Sequence, residues 1–142
     1  MKSLGTLLVL MLLASYSFGQ DKGSDITGIW LNDEKNAHVE IYEKDGAFFG
    51  KIIWLKDPNL PDGTPKVDAN NPKKSLRSRN VLGMDIISDL SYKDNGWEDG
   101  TIYLPKKGQI LSCEATLSDN KNELTLMVSK FWFSTTIKWT RL

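Results

Sequence analysis

The chain is 142 residues long, enough for one domain, and its 18 basic side chains are balanced by 18 acidic ones, so no net charge marks it for nucleic acid or for an anionic membrane surface. Aromatic residues make up 10% of it, five of them Trp, which is enough apolar material for a core. Its single cysteine, Cys113, excludes an internal disulfide, so the fold must rest on that core.

The chain begins MKSLGTLLVLMLLASYSFGQ. Lys2 supplies a positive start, Leu7 to Ala14 is an unbroken apolar run, and Ser17 and Gly19 are small residues at the two positions a signal peptidase reads. The run is too short to cross a bilayer comfortably, so the expectation is a cleaved signal peptide at 1–19 and not an anchor. No cysteine follows it for lipid attachment. What remains is one exported domain over residues 20–142, periplasmic or secreted, with no transmembrane segment in the mature chain.

Beyond the leader, apolar residues recur at every second position, the period of half-buried strands. Ile26–Leu31 is a short first strand. In Ala37–Glu43, Ala37, Val39 and Ile41 share one face and His38, Glu40 and Tyr42 the other. Asp45-Gly46 then makes a tight hairpin turn into a third strand, Ala47–Leu55. Residues 56–80 break the pattern with Pro58, Pro61, Pro65 and Pro72 and with the turn formers Asp62-Gly63 and Asn70-Asn71. A loop this long inside a compact domain is often functional. Strands resume at Val81–Leu90, Trp97–Leu104, Gln109–Leu117, a segment around Leu124, Leu126 and Val128, and Thr135–Arg141. Consecutive strands joined by tight turns pair as antiparallel neighbours, and closing them on themselves removes exposed edges. The expected fold is therefore all-β: an eight-stranded antiparallel up-and-down barrel with one long loop after the third strand. Such a barrel is either filled by side chains or holds one small ligand.

Chemical motifs are sparse. His38 is the only histidine, so a metal site of nitrogen and sulfur ligands lacks the residues it needs, and no nucleophile elbow accompanies it. Cys113 alternates with Leu111 and Ala115, the pattern of a small buried hydrophobe. Asp62, Asp68 and Asn70 lack the regular spacing of a calcium loop, and Glu40, Glu43, Glu98 and Asp99 read as solvated carboxylates. No cofactor, no metal and no enzymatic activity are expected. In the long loop, Arg77 and Arg79 share a face if the stretch is extended; there they would clamp a carboxylate or phosphate, or else pair with Asp68, Asp85 or Asp89 and pin the loop. Phe48, Trp54, Tyr103, Trp132 and Trp139 are the rings available to line an apolar interior or to fill it. Phe131-Trp132-Phe133 would cap the barrel mouth or form an exposed patch for a partner or membrane.

Gly28-Ile29-Trp30 on the first strand, with Arg141 near the end of the last, resembles the signature of the lipocalin and fatty-acid-binding superfamily. That resemblance implies that Gly28 and Trp30 mark the closed end of a barrel and that Arg141 packs over the indole, where a guanidinium both stacks and reaches exposed carbonyls. Ordered segments over most of the chain carry a second, closer resemblance. They are Gly50-Lys51-Ile52-Ile53-Trp54-Leu55, Asp68-Ala69-Asn70-Asn71-Pro72, Arg77-Ser78-Arg79-Asn80-Val81-Leu82-Gly83, Trp97-Glu98-Asp99-Gly100-Thr101-Ile102-Tyr103-Leu104-Pro105 and Trp139-Thr140-Arg141. Together they resemble the uncharacterised exported bacterial proteins known as DUF2147. The chain departs from that family at Leu104, where an acidic residue is usual, and at Phe131–Phe133, which replace a glycine-rich segment. The family resemblance implies a lipocalin-like barrel and an envelope or secreted location, and no activity. The expected role is to bind a small apolar or amphipathic molecule inside an exported barrel. The alternative is a structural or protein-interaction module of the envelope, with a filled barrel and an envelope protein as partner.

Overall fold

A computed structural model describes residues 22–142; the expected signal peptide lies outside the described residues. Eight strands follow in chain order: β1 (Gly28–Leu31), β2 (Ala37–Lys44), β3 (Ala47–Leu55), β4 (Asp85–Lys93), β5 (Gly96–Leu104), β6 (Gln109–Leu117), β7 (Glu123–Lys130) and β8 (Phe133–Arg141). Each pairs antiparallel with the next, and β8 returns to β1, so the sheet closes as an up-and-down barrel. The period-two pattern maps directly onto the wall. In β6, Leu111, Cys113 and Ala115 are buried while Ser112, Glu114 and Thr116 face solvent.

Boundaries shift where local chemistry intervenes. Ile26 belongs not to β1 but to a 3-10 helix, Lys22–Ile26, and is fully buried beneath the barrel end. Val81–Met84 is loop, not strand: Gly83 has φ +90°, its N–H reaches the Ile52 carbonyl at 2.8 Å, and β4 begins only at Asp85. The β7–β8 hairpin is longer than its apolar pattern suggests, with Lys130 opposite Phe133 and only Phe131-Trp132 between them.

One end of the barrel is plugged. Trp30 has no exposed surface and donates its indole N–H to the Ile26 carbonyl at 2.9 Å. The Arg141 guanidinium lies over that ring at 4.3 Å and donates to the carbonyls of Thr27 (2.8 Å), Asp25 (2.6 Å) and Lys121 (2.7 Å). Position 28 must be glycine for this to happen. Its φ is +133°, and a Cβ there would stand 2.7 Å from an Arg141 nitrogen. Trp97 adds a bond to the Gly23 carbonyl at 3.1 Å, tying the 3-10 helix to β5. Gly28, Trp30 and Arg141 thus meet at one end of the barrel.

The opposite end carries the β1–β2 turn, the long β3–β4 loop, the β5–β6 turn and the β7–β8 turn. The long loop is ordered by its own ladder: Lys66 N–H to Pro58 O, Asp68 N–H to Arg79 O and Val81 N–H to Lys66 O, all at 2.9–3.0 Å. It then leans on the β5–β6 turn, where Asn70 donates to the Lys106 carbonyl at 2.9 Å. Gly108 permits that contact, since a Cβ at this residue (φ +59°) would fall 1.9 Å from the Asn70 carbonyl oxygen.

Candidate functional site

The interior is filled in its closed half and hollow toward its open end. Phe48, Leu90, Leu124, Leu126 and Val128 are all at most 2% exposed and belong to one core cluster with Trp30. Toward the open end lies a cavity of about 600 Å³, within the usual range for small-molecule sites. Its apolar lining includes Ile52, Leu55, Ile102, Leu104, Ile137 and Trp139. Its rim is polar and of mixed charge, with Asp33, Glu34, Asp57, Lys66, Lys106 and Lys107. Lys106 bridges to Glu34 at 2.5 Å, joining the β5–β6 and β1–β2 turns beside the opening. Hydrogen bonds from Lys106 and Asn36 hold the Glu34 carboxyl below its ordinary range. Trp139 supplies the one polar feature of the wall that lacks an internal partner. It is 3% exposed, and its indole Nε1 is buried without a hydrogen bond among the described residues.

Of the five rings expected to line the interior, only Trp139 borders this cavity. Phe48 points inward but belongs to the filled half. Trp54 is on the outside, and the reason is a bulge. The β2–β3 register shifts between His38 and Val39, so Val39 faces Ile52 while His38 faces Trp54, and the extra residue turns Trp54 out of the parity it would share with Phe48 and Ile52. Its ring stacks on His38 at 4.2 Å between centroids. The same slip brings Leu55 into the lining beside Ala37. Trp132 sits at the β7–β8 turn, 94% exposed, and caps nothing.

Tyr103, Arg77 and Arg79 meet on the outer wall beneath the loop. Asp68 is the hub, a carboxylate only 1% exposed. Its Oδ1 accepts the Tyr103 hydroxyl at 2.5 Å, and its Oδ2 accepts from Asn71 at 2.8 Å and from Arg79 Nε at 3.0 Å, with a second Arg79 nitrogen also at 3.0 Å. Burial by itself would raise the Asp68 pKa; the donors from Tyr103, Asn71 and Arg79 outweigh it and hold the carboxyl below its ordinary range. Burial, then the adjacent carboxylate, raises Tyr103. Arg77 does not share a face with Arg79, because residues 74–76 form a 3-10 turn and the stretch is not extended. Its Nε binds the Asn71 carbonyl at 2.7 Å. Both arginines are thus engaged in holding the loop, and Asp85 and Asp89 are not their partners; Asp85 instead accepts from Tyr42 at 2.7 Å. Sequence reasoning named Asp68 among the partners of these arginines and missed Tyr103, which arrives from β5.

Cys113 is buried in the wall, and burial, with Glu114 next to it, pushes its thiol up to about 12. In the native protein it should react with a disulfide reagent only after unfolding. Prompt labelling at neutral pH would show that this stretch of wall opens. No group of three or more potential metal-ligating side chains occurs among the described residues.

Comparison with known proteins agrees with this architecture. The family described as "Uncharacterized protein conserved in bacteria (DUF2147)" matches residues 28–141. The chain belongs to this family. A solved structure from Helicobacter pylori, the protein HP1028, described as belonging to the lipocalin family, is similar at 26% identity with a TM-score of 0.71, over 82% of each chain. No curated protein matches. Within this DUF2147 chain, several of the residues that carry the family resemblance fall into the two structural devices above. Gly28, Trp30 and Arg141 build the plug, and Asp68, Asn71, Arg77, Arg79 and Tyr103 anchor the loop.

Proposed function

We propose that this protein is an exported carrier that binds one small amphipathic molecule in the open half of its barrel and performs no chemistry on it. The observation that carries the reading is the cavity of about 600 Å³, apolar along its wall and polar at its rim. A ligand with a hydrocarbon portion and a polar head satisfies both features. The lining holds no histidine or cysteine, and the acidic side chains Asp33, Glu34 and Asp57 stand at the solvated rim. The lipocalin-like neighbour supports the same reading. The start of the chain, with Lys2, the apolar run and Gly19 before Gln20, supports export.

The test is a binding series by displacement of a fluorescent apolar probe, using long-chain alcohols, methyl ketones and matched alkanes. Alcohols and ketones should bind more tightly than the alkanes. Ile137→Glu, which sets a charge in the apolar wall, should weaken all three classes about tenfold or more. A barrel that takes up neither probe nor ligand, and that carries nothing by native mass spectrometry when purified from its host, would remove the proposal.

A further inference from the structure

The tip of the β7–β8 hairpin is the most apolar exposed feature of the barrel. Phe131 is 92% exposed, Trp132 94% and Phe133 49%. Phe131 holds φ at +55°, a backbone region that favours glycine or asparagine over a bulky ring. The tip stands at the open end of the barrel, the end whose connections border the cavity. β8 is bare along its outer side there, since β1 pairs with it only at Thr140 and Arg141.

Charge is sorted along the same axis. The four connections at the open end, residues 32–36, 56–84, 105–108 and 131–132, carry nine basic and five acidic side chains, with Lys130 flanking the last. The described connections at the plugged end, residues 22–27, 45–46, 94–95 and 118–122, carry two basic and four acidic. From Leu124 to Leu142 there is no acidic side chain at all. Lys130 extends its ammonium over the Phe131 ring at 5.8 Å, so a cation stands directly beside the apolar tip.

From this arrangement we infer that the open end docks on an anionic phospholipid surface, with Phe131 and Trp132 entering the interfacial layer and the basic connections facing the headgroups. Tryptophan and phenylalanine are ring types that lodge at that depth, and each nearby cation is attracted by the leaflet's negative potential. A tip of three rings is too small to build the roughly 800 Å² per partner of a specific protein interface, whereas a narrow apolar projection flanked by Lys130 on a net-basic end suits a soft, charged layer. Neutrality of the whole chain conceals this, because the fold places the surplus cations at one end. The inference stands whether or not the cavity is occupied. If it is, docking turns the mouth toward the bilayer, where amphipathic molecules reside.

The experiment uses the chain from Gln20 to Leu142, which contains every described residue. It is mixed with phosphatidylethanolamine vesicles containing phosphatidylglycerol and floated on a density gradient. The protein should rise with the vesicles, and brominated lipid should quench part of its tryptophan fluorescence. The double substitution Phe131→Ser, Trp132→Ser should cut the bound fraction by about tenfold or more, with an unchanged circular-dichroism spectrum and unchanged uptake of the apolar probe. Added salt, or vesicles without phosphatidylglycerol, should weaken flotation. The inference is overturned if wild type stays in the buffer layer, or if the double variant floats equally well. It is likewise overturned if the tip proves to mediate a concentration-dependent dimer without flotation, since the occupant is then a second copy of this chain.

Discussion

Asp68→Asn is expected to destabilise the protein by about 3 kcal/mol and to lower its melting temperature by roughly 10 °C. The carboxylate satisfies donors from β5 and from two points of the loop at once, through Tyr103, Asn71 and Arg79. An amide of the same shape offers one acceptor oxygen and confronts those donors with an NH₂ group. Arg79 is 40% exposed and recovers some hydration, which keeps the loss below that of a fully buried pair. The loop should loosen with it. Limited proteolysis within residues 56–84 should accelerate, and probe affinity should fall, because Lys66, Val67, Ala69 and Asn70 from this loop border the cavity. Since the folded-state pKa of Asp68 lies below its ordinary value, its contribution to stability is complete above about pH 4 and is lost as pH falls through the folded value. Denaturation curves of wild type and variant should therefore differ most at neutral pH and draw together in strong acid. Equal stability at pH 7 would mean that the hub holds nothing.

The plug at the other end should be worth more. Trp30→Ala is expected to cost about 4 kcal/mol, the usual loss for removing a fully buried large ring. Arg141→Ala should cost about 2 kcal/mol by leaving the carbonyls of Asp25, Thr27 and Lys121 without their shared donor. The two are coupled, because the guanidinium rests on the indole face at 4.3 Å. The double variant should lose less than the sum of the singles by roughly 0.5–1 kcal/mol, measured by urea denaturation. Strict additivity would show that the stacking contributes nothing. Closure itself is at stake in these variants, since β8 meets β1 only at the pairs Trp30–Arg141 and Leu31–Thr140.

Both devices bear on how readable the molecule is from its residues. The plug was legible because each of its parts is a local statement: a glycine two places before a tryptophan on the first strand, and an arginine on the inward parity of the last. The loop was legible as a loop, from its prolines, and its ion pair was among the partners its arginines could take. Its phenol was not, because Tyr103 reads as one more aromatic in an alternating strand until the loop is laid against the outer wall. Trp54 failed for a different reason. Parity counting assumes an unbroken ladder, and one extra residue opposite His38 reverses the face of everything beyond it.

By itself, then, the sequence determined the strands, their order and the closure of the barrel, since period-two burial and turn chemistry act between near neighbours in the chain, while the plugged end followed from the resemblance to the lipocalin and fatty-acid-binding superfamily. Only the tertiary structure decided that the barrel is hollow toward one end, that a loop carboxylate is buried against a distant tyrosine, and that a neutral chain gathers a surplus of cations at the end that carries an aromatic tip. Those features depend on which remote segments come together and on which end each connection emerges, and no summed property of the residues records that.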